Sequence, residues 1–322
     1  MNIIKNTIVT VGAMLAVTGS NVMANDTISV LISNRSNEFF SVLEKSAVNR
    51  GEELGYNVRV YDGGNNASRQ PSQVEDAIAS GAKAIIINPL NEDATSFVLS
   101  EAVNRGIQVV TVDTTVQDVD LLSEIATDNE DGGKFAAQWL VKKSGVDPSQ
   151  LGGIIHMKGL DGHTAHISRY KGFNDYLKSD SVDKAWNTLT QSGDTYIELT
   201  GSFSQDGAQS ALESRLSALD PEAKYAVYCE NDVMAIGVIN AIENDPRFDL
   251  SNFKIIGFDG SSEGKNLVDE GKMNVTVVQD FEYIGSEAIN VIHNYLQNQA
   301  TPESVTNAVE VVMYPTEQSP RQ

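Results

Sequence analysis

The stretch Thr27–Phe40 decides the fold, and it reads T-I-S-V-L-I-S-N-R-S-N-E-F-F. It opens with a short apolar run rich in β-branched residues, Ile28–Ile32, which is typical of a strand buried on both faces. Five polar residues follow, and then Phe39 and Phe40 begin a helix-like segment. This order predicts a parallel α/β sheet, in which ligands bind beyond the carboxyl ends of the strands.

The polar loop and the two aromatic residues have two interpretations. Phe39 and Phe40 could be core residues, with Asn37 near the N-cap of the helix. Adjacent residues on a helix point about 100° apart, so at most one of the two rings can face the core squarely. A loop with amide and hydroxyl groups beside two rings also suits a ligand with many hydroxyls and a partly apolar face. These residues alone leave both interpretations open.

Length and charge narrow the class of protein. The chain has 322 residues, which suits two lobes of about 130 to 150 residues each. With 41% hydrophobic and 21% charged residues, the composition is that of an ordinary globular protein. The formal net charge of −21 disfavours non-specific binding to nucleic acid or to an anionic membrane surface, since both depend on Lys and Arg.

Residues 1–24 have the pattern of a secretory signal peptide. Lys5 supplies a positive charge, and the mostly apolar run Thr7–Val17 is too short to cross a bilayer as a helix. Val22-Met23-Ala24 then resembles a signal-peptidase site, with no cysteine nearby to carry a lipid. The alternative is an N-terminal helix of the fold. The pattern predicts a secretory signal, of the Gram-negative type, that is cleaved after Ala24.

Cys229 is the only cysteine in the chain. An exported protein with one cysteine has no internal disulfide, so its stability must come from its cores. Because Cys229 follows an apolar run, we expect a small buried hydrophobic side chain rather than a nucleophile.

Short apolar runs alternate with amphipathic segments along the whole chain, and this alternation predicts two doubly wound α/β lobes. No low-complexity linker separates the halves, which suggests several chain crossings that act as a hinge. The predicted strands are Ile28–Ile32, Val58–Tyr61, Ala84–Ile87, Val109–Val112, Gly153–Met157, Ala223–Tyr228 and Lys254–Phe258, with Ala185–Thr190 as a further candidate. The predicted helices are Phe39–Glu53, Pro71–Ser80, Thr95–Asn104, Gly132–Lys143, Ala165–Leu177, Gln205–Leu219, Val233–Asn244 and Ile284–Gln297, before a β-rich tail, Val305–Met313.

Polar clusters follow several apolar runs at the point where each run ends. One such residue is usually a turn former or a helix cap. Recurrence favours ligand contact, because the carboxyl ends of parallel strands converge at one crevice. The clusters are Asp113-Thr114-Thr115, Glu230-Asn231-Asp232, Asp259-Gly260 and Gln279-Asp280.

Other candidate residues lie outside the strand ends. Arg169, on a predicted helix, could face solvent or donate hydrogen bonds into a pocket, and Phe203 is an isolated aromatic residue in a polar loop. His163 and His166 have the i, i+3 spacing of a metal pair, but no third ligand is evident and no metal site is predicted.

Signatures of enzymes are missing from the sequence. It contains no G-x-S-x-G elbow, no P-loop, and no G-x-G-x-x-G after the first strand, so no cofactor is predicted. A glycosidase with paired carboxylates stays open, since separation in space cannot be read from a sequence.

Together these stretches resemble the ribose-binding-protein type of periplasmic sugar-binding proteins, which share their fold with the effector domains of lactose-repressor-like regulators. The resemblance covers nearly the whole mature chain and includes I-I-I-N-P-L-N-E-D-A, S-R-Y-K-G-F, C-E-N-D-V-M-A-I-G and I-I-G-F-D-G. It implies two lobes joined by crossings near Thr127, Gln279 and Val309. The lobes would comprise residues 25–127 plus 280–308, and residues 128–279 plus 309–322.

The resemblance also implies a sugar site between the lobes, with aromatic faces against the ring and charge-assisted bonds to its hydroxyls. Ribose binders commonly carry Asp-Arg where this chain has Asp113-Thr114, so Thr114 would leave space in the site. A larger monosaccharide, a sugar alcohol or a cyclitol is therefore a better expectation than ribose. The implied ligand-binding residues are Ser33, Asn37, Phe39, Phe40, Asp113, Thr114, Arg169, Phe203, Asn231, Asp259 and Gln279.

The implied function is that of a periplasmic solute-binding protein of an ABC importer. It would be a monomer without enzymatic activity, and its partners would be the sugar and a membrane permease; relatives also serve chemoreceptors. Two alternatives remain. A regulator's effector domain would need a DNA-binding segment, whereas this chain is acidic and starts with a signal-like sequence. A secreted sugar hydrolase would need a catalytic signature that the sequence does not show.

Overall fold

The computed structural model describes residues 26–298, 306–309 and 312–315. The predicted signal peptide and the remainder of the predicted β-rich tail lie outside these residues. The strands are β1 Thr27–Ile32, β2 Asn57–Asp62, β3 Ala84–Ile87, β4 Gln108–Val112, β5 Ser123–Thr127, β6 Leu151–Lys158, β7 Tyr196–Thr200, β8 Lys224–Cys229, β9 Phe253–Asp259, β10 Val275–Val278, β11 Thr306–Val309 and β12 Val312–Tyr314.

Helices connect most of these strands, as expected for parallel crossover connections. They are α1 Glu38–Glu53, α2 Gln70–Ala79, α3 Glu92–Asn104, α4 Asn129–Lys142, α5 Thr164–Leu177, α6 Lys184–Leu189, α7 Gln205–Leu216, α8 Asp232–Glu243, α9 Ser262–Asp269 and α10 Phe281–Leu296, with short 3-10 turns at Pro148–Gln150 and Leu250–Asn252. Among the described residues, no helix combines the length and the apolar character needed to cross a membrane.

The first lobe is built on a parallel sheet with the strand order β11-β5-β4-β3-β1-β2. Its central strands are apolar on both faces; Ile85, Ile86 and Ile87 are all fully buried. Alternate side chains of these strands therefore enter two cores. Ile86 packs in the core under α1 and α10, and Ile85 and Ile87 pack in the core under α2 and α3.

The second lobe repeats this architecture with the strand order β12-β10-β9-β8-β6-β7, in which only the β10–β12 pair is antiparallel among the described strands. Val227 and Cys229 belong to the core beneath α7 and α8. Tyr228 points the other way and stacks on Phe173 of α5, with ring centroids 4.3 Å apart. Cys229 is a buried core residue, as the sequence predicts.

The chain leaves the first sheet after β5 and returns to the first lobe between β10 and α10. Near the end of the described residues, β11 belongs to the first sheet and β12 to the second. Helix α10 packs on α1, so it belongs to the first lobe, whereas α4 packs on α5 in the second. This topology places the carboxyl ends of both sets of strands at the junction between the lobes.

The structure corrects one candidate element and adds two. Residues Ala185–Thr190 are not a strand, since they lie in α6, where Asp183 accepts a hydrogen bond from Ala185 N (2.8 Å) as the N-cap. Trp186 and Leu189 are buried at helical i, i+3 spacing. The strand in this region is β7, which begins at Tyr196, eleven residues after the start of the candidate at Ala185. Strand β5 and helix α9 were not predicted.

Candidate functional site

A cleft of about 420 Å³ lies between the lobes, at the carboxyl ends of their strands. Both lobes contribute polar and aromatic side chains to its wall. Its volume falls within the usual range for small-molecule sites, about 300–1,000 Å³. The lining residues are Ser33, Asn34, Asn37, Phe39, Phe40, Asn65, Asn88, Pro89, Leu90, Asp113, Leu160, His163, Ala165, Arg169, Ser202, Phe203, Ser204, Asn231, Asp259 and Gln279.

The structure brings ten of the eleven predicted site residues into this wall. Their contact with a ligand stays a prediction, but their convergence follows from the topology, because each strand-end residue belongs to a strand that stops at the cleft. Phe39 is the more buried of the two adjacent phenylalanines, 4% exposed, and its ring centroid lies 4.4 Å from that of Phe281. Phe40 is half-buried, and both rings line the cleft, so Phe39 belongs to the core and to the cleft wall at once.

Thr114 is the exception, since it is not among the residues that line the cleft, and its contact with a ligand stays a prediction. Its side chain is 2% exposed and turns away from the cleft. Thr114 Oγ1 accepts from Asn88 Nδ2 at 2.9 Å and donates to the Pro89 carbonyl at 3.0 Å. Thr114 therefore holds the β3 loop against the end of β4, behind the wall. Arg35, in the loop before α1, also lies outside the wall and forms a bidentate pair with Glu44.

Left-handed backbone conformations concentrate at the cleft. Asp113 has φ +65° and Asp259 has φ +119°, directly at the ends of β4 and β9. Ser202 and Phe203 have φ +54° and +55°, an uncommon conformation for a bulky side chain. Backbone strain of this kind costs about 1–3 kcal/mol per residue and persists where function requires a particular orientation. Asn65, with φ +56°, is a fifth lining residue of this kind, and the coincidence of such conformations with five lining residues supports a built binding site.

Arg169 is the cationic centre of the second-lobe wall. It is 3% exposed, and its guanidinium lies 3.8 Å over the ring of Phe258. Its Nε donates to Asn129 Oδ1 at 2.8 Å and its Nη1 donates to the Glu230 carbonyl at 2.5 Å. Asp259 Oδ1 lies 3.9 Å from Nη1. These contacts fix the direction of the guanidinium before any ligand arrives.

Two buried carboxyl groups face this cation. Burial raises the pKa of Asp113 to about 6, although the positive charge of Arg169 and the hydrogen bond from Asn88 act against the rise. Burial raises the pKa of Asp259 to about 8, with Arg169 acting against it and the nearby Asp232 adding to it. Burial removes water from both carboxyl groups, and their hydrogen bonds within the protein do not fully replace it. Ligand hydroxyls that donate to these groups would therefore stabilise their charged forms.

The pKa of Asp259 predicts how the ligand-free protein responds to pH. A carboxyl whose folded-state pKa is raised stabilises the fold at low pH, and that contribution is lost as the pH rises through the folded pKa. We expect the melting temperature of ligand-free protein to fall between pH 6.5 and 8.5, above the range where His163 and Asp113 titrate. Calorimetry across this range measures the fall. Asp259→Asn should remove most of it, and an equal fall in that variant would contradict the assignment.

A fully buried ionic cluster stands behind the second-lobe wall. Both oxygens of Glu230 are used: His156 Nε2 lies 2.9 Å from Oε1, His166 Nδ1 lies 2.7 Å from Oε2, and Gly159 N donates to Oε2 at 2.8 Å. Burial alone would raise the pKa of Glu230, but the hydrogen bonds from His156 and His166 outweigh it and hold the pKa at about 2. The i, i+3 histidines are thus divided: His166 binds Glu230, whereas His163 lines the cleft.

Gly159 is required by the close approach of Phe203. A Cβ at residue 159 would lie 2.1 Å from Phe203 Cζ, so a larger residue would displace the ring. The ring also meets His163 edge-on, with centroids 5.2 Å apart. The aromatic surface of the second lobe is therefore held in place by the same loop that Glu230 ties down.

Several lining residues were missed by the sequence analysis. Asn88 follows the apolar run of β3 directly, so the strand-end rule could have found it; it is 1% exposed and its Oδ1 has no hydrogen-bond partner. Asn34, Asn65, Ser202 and Ser204 lie in loops, where the sequence carries no signal for direction. The apolar Leu160 is also part of the wall and is 45% exposed.

Two such lobes around a polar cleft form a known architecture. The model of the family described as periplasmic binding protein domain matches residues 28–300. The chain belongs to this family. The predicted fold class, two doubly wound lobes of the type I periplasmic binding protein fold, is confirmed, as is the resemblance to the ribose-binding type.

Known proteins can be aligned with nearly the whole length of this chain. It is 30% identical to the ribose import binding protein of Salmonella typhimurium over 91% of this chain and 92% of that protein. The arabinose-transporter binding protein of Shewanella sp. ANA-3, bound to L-arabinofuranose, has a TM-score of 0.75 with 25% identity, covering 89% and 91%. The myo-inositol binding protein of Caulobacter has a TM-score of 0.76 with 24% identity, covering 89% and 92%.

Proposed function

We propose that this periplasmic binding protein is the solute-binding component of a sugar ABC importer and holds a monosaccharide or related polyol between its lobes. The observation that carries the proposal is the composition of the cleft wall. Two carboxyls, one guanidinium and several amides converge there with two phenylalanines from the first lobe and one from the second. Charged groups bind hydroxyls strongly, and aromatic faces cover the apolar face of a sugar ring.

The hydrogen bonds of Gln279 support closure of the lobes around the ligand. Gln279 lies at a crossing segment, and its Nε2 donates to Asp259 Oδ1 at 2.7 Å. Its Oε1 accepts from Thr127 Oγ1 at another crossing. A cleft carboxylate is thus linked to two crossings, so ligand bound to Asp259 would bias the hinge. We propose residues 25–127 plus 280–308 and residues 128–279 plus 309–322 as the two moving units.

The named relatives agree with a binding role rather than a catalytic one. Ribose import, arabinose transport and myo-inositol binding are the roles of the three proteins compared above. By extension, we propose export to the periplasm after removal of residues 1–24, action as a monomer, and delivery of the ligand to a membrane permease without chemical change. Which sugar or cyclitol binds is the question that an experiment must answer.

A thermal-shift screen of the mature protein against pentoses, hexoses, sugar alcohols and inositols tests the proposal. Ligand at about 100 times its dissociation constant adds about 2.7 kcal/mol to the unfolding free energy, which raises the melting temperature by about 5–10 °C for a protein of this size. The protein is first unfolded and refolded to remove any sugar that copurifies. No shift with any compound after refolding would contradict a polyol site.

A further inference from the structure

The N-termini of two helices, one from each lobe, are joined by a pair of hydrogen bonds. Glu38 is the first residue of α1 in the first lobe, and Ser262 is the first residue of α9 in the second. Ser262 Oγ lies 2.6 Å from Glu38 Oε1, and Ser262 N lies 3.0 Å from Oε2. The two residues are 224 positions apart in the chain. A rotation that separates the lobes would break both bonds.

The second-lobe half of this contact is held rigidly. The buried carboxylate of Asp232 accepts from Ser261 N at 2.8 Å and from Ser261 Oγ at 2.9 Å, and its other oxygen accepts from Thr276 Oγ1 at 2.6 Å. Gly264 lets the first turn of α9 lie against this carboxylate, since a Cβ there would be 2.2 Å from Asp232 Oδ2. Ser262 is therefore presented in a fixed position.

The first-lobe half adjoins the ligand cleft without facing it. Asn37 and Phe39, on either side of Glu38, line the cleft, and Asn37 Oδ1 accepts from Phe39 N at 3.0 Å as the N-cap of α1. Phe39 is anchored on Phe281 of α10. Glu38 does not line the cleft and extends to α9 instead.

The chemistry of the contact favours a carboxylate at this position. The first four N–H groups of a helix have no partner within the helix, and Ser262 N is one of these in α9. A negative charge beside such a helix terminus is stabilised by the helix dipole. Glu38 thus gives a charge-assisted partner to a backbone donor of the opposite lobe, independently of any ligand.

We propose that Glu38 and Ser262 form a latch that sets ligand affinity by stabilising the closed arrangement of the lobes, without touching the ligand. The inference rests on the proposed closure of the lobes around a ligand. Apparent affinity depends on the fraction of protein in the binding-competent state. Loss of the latch should therefore weaken the binding of every ligand by the same factor, whereas loss of a residue in the cleft wall should affect ligands differently.

The variants Glu38→Ala and Ser262→Pro test the latch from its two sides. Proline removes both the N–H and the hydroxyl of residue 262, and it suits the first position of a helix. The preceding residue, Ser261, already has φ −59° and ψ 160°, which is compatible with a following proline. We expect each variant to raise the dissociation constant by about threefold to tenfold, measured by calorimetry with two ligands of different shape. The double variant should lose no more than either single variant.

Glu52→Ala is the matched control, because it removes an exposed carboxylate at the far end of the same helix. Small-angle scattering of ligand-free protein gives a readout that needs no ligand: the two latch variants should have a larger radius of gyration than the wild type and the control. Unchanged dissociation constants and scattering, ligand-dependent losses, or additive losses would each overturn the latch. If the wild type binds no sugar, the proposed function fails, and scattering alone decides the latch.

Discussion

Replacing Asp259 by alanine is expected to weaken ligand binding at least about 100-fold while the fold stays intact. Asp259 is 6% exposed at the wall of the cleft, so the ligand hydroxyls it serves would have little water to replace it. Each unsatisfied charge-assisted bond costs about 1.5–3 kcal/mol, and 1.4 kcal/mol is a factor of ten in affinity. Titration calorimetry with the ligand found by the screen measures the loss, and circular dichroism reports on the fold.

The matched control is Asp194→Ala, which removes an exposed carboxylate from the same lobe. Proton release on ligand binding to the wild type is a second measurement. Because hydroxyls favour the charged carboxylate and the pKa of free Asp259 is about 8, binding at pH 7 should release a proton. Affinity should then increase with pH, by up to about tenfold per unit below pH 8. Retained affinity in Asp259→Ala, or the same proton release in both proteins, would remove Asp259 from the ligand site.

Much of the cleft could be predicted because strand ends in a parallel sheet share one edge. Asp113, Asn231, Asp259 and Gln279 each follow an apolar run, and their positions in the sequence already place them at one side of a sheet. The runs themselves are easy to recognise, since strands buried on both faces are mostly apolar. The same rule applied to Asn88 would have completed the set.

Directions of single side chains could not be predicted from the sequence. Thr114 directly follows Asp113, yet only Asp113 faces the cleft. The left-handed backbone of Asp113 decides this, together with the hydrogen bonds of Thr114 to the β3 loop. Residues 185–190 show a similar limit: the cap from Asp183 and the burial of Trp186 favour a helix where the local apolar pattern also suits a strand.

Partnerships between distant residues were also invisible in the sequence. Glu230 lies 74 positions from His156 and 64 from His166, and no motif in the sequence links the three residues. The sequence suggested a histidine pair as a weak metal candidate, whereas the structure shows that one member, His166, contacts a buried carboxylate at hydrogen-bond distance. Three segments of the second lobe meet at this carboxylate, so the Glu230 cluster determines how firmly the wall of the cleft is held.

Replacing Glu230 by alanine is expected to lower the unfolding free energy of the second lobe by about 3–5 kcal/mol, because two buried imidazoles and the N–H of Gly159 would lose their common partner. For a protein of this size the melting temperature should fall by roughly 10 °C. Urea titration followed by the fluorescence of Trp186, a core residue of this lobe, measures the loss. The wild-type contribution should persist above pH 4.5 and be lost only as the pH falls toward 2, since the folded-state pKa is lowered.

Glu198→Ala is the control for this prediction, since Glu198 is an exposed carboxylate of the same lobe that accepts a hydrogen bond from Tyr170. It should change the unfolding free energy by less than about 1 kcal/mol. Glu230→Gln keeps an acceptor for Gly159 N and should fall between the two. If Glu230→Ala proved as stable as Glu198→Ala, the buried carboxylate would contribute no net stability. Its cluster would then act only by fixing the positions of Gly159 and Arg169 at the cleft, and the loss would appear in ligand affinity alone.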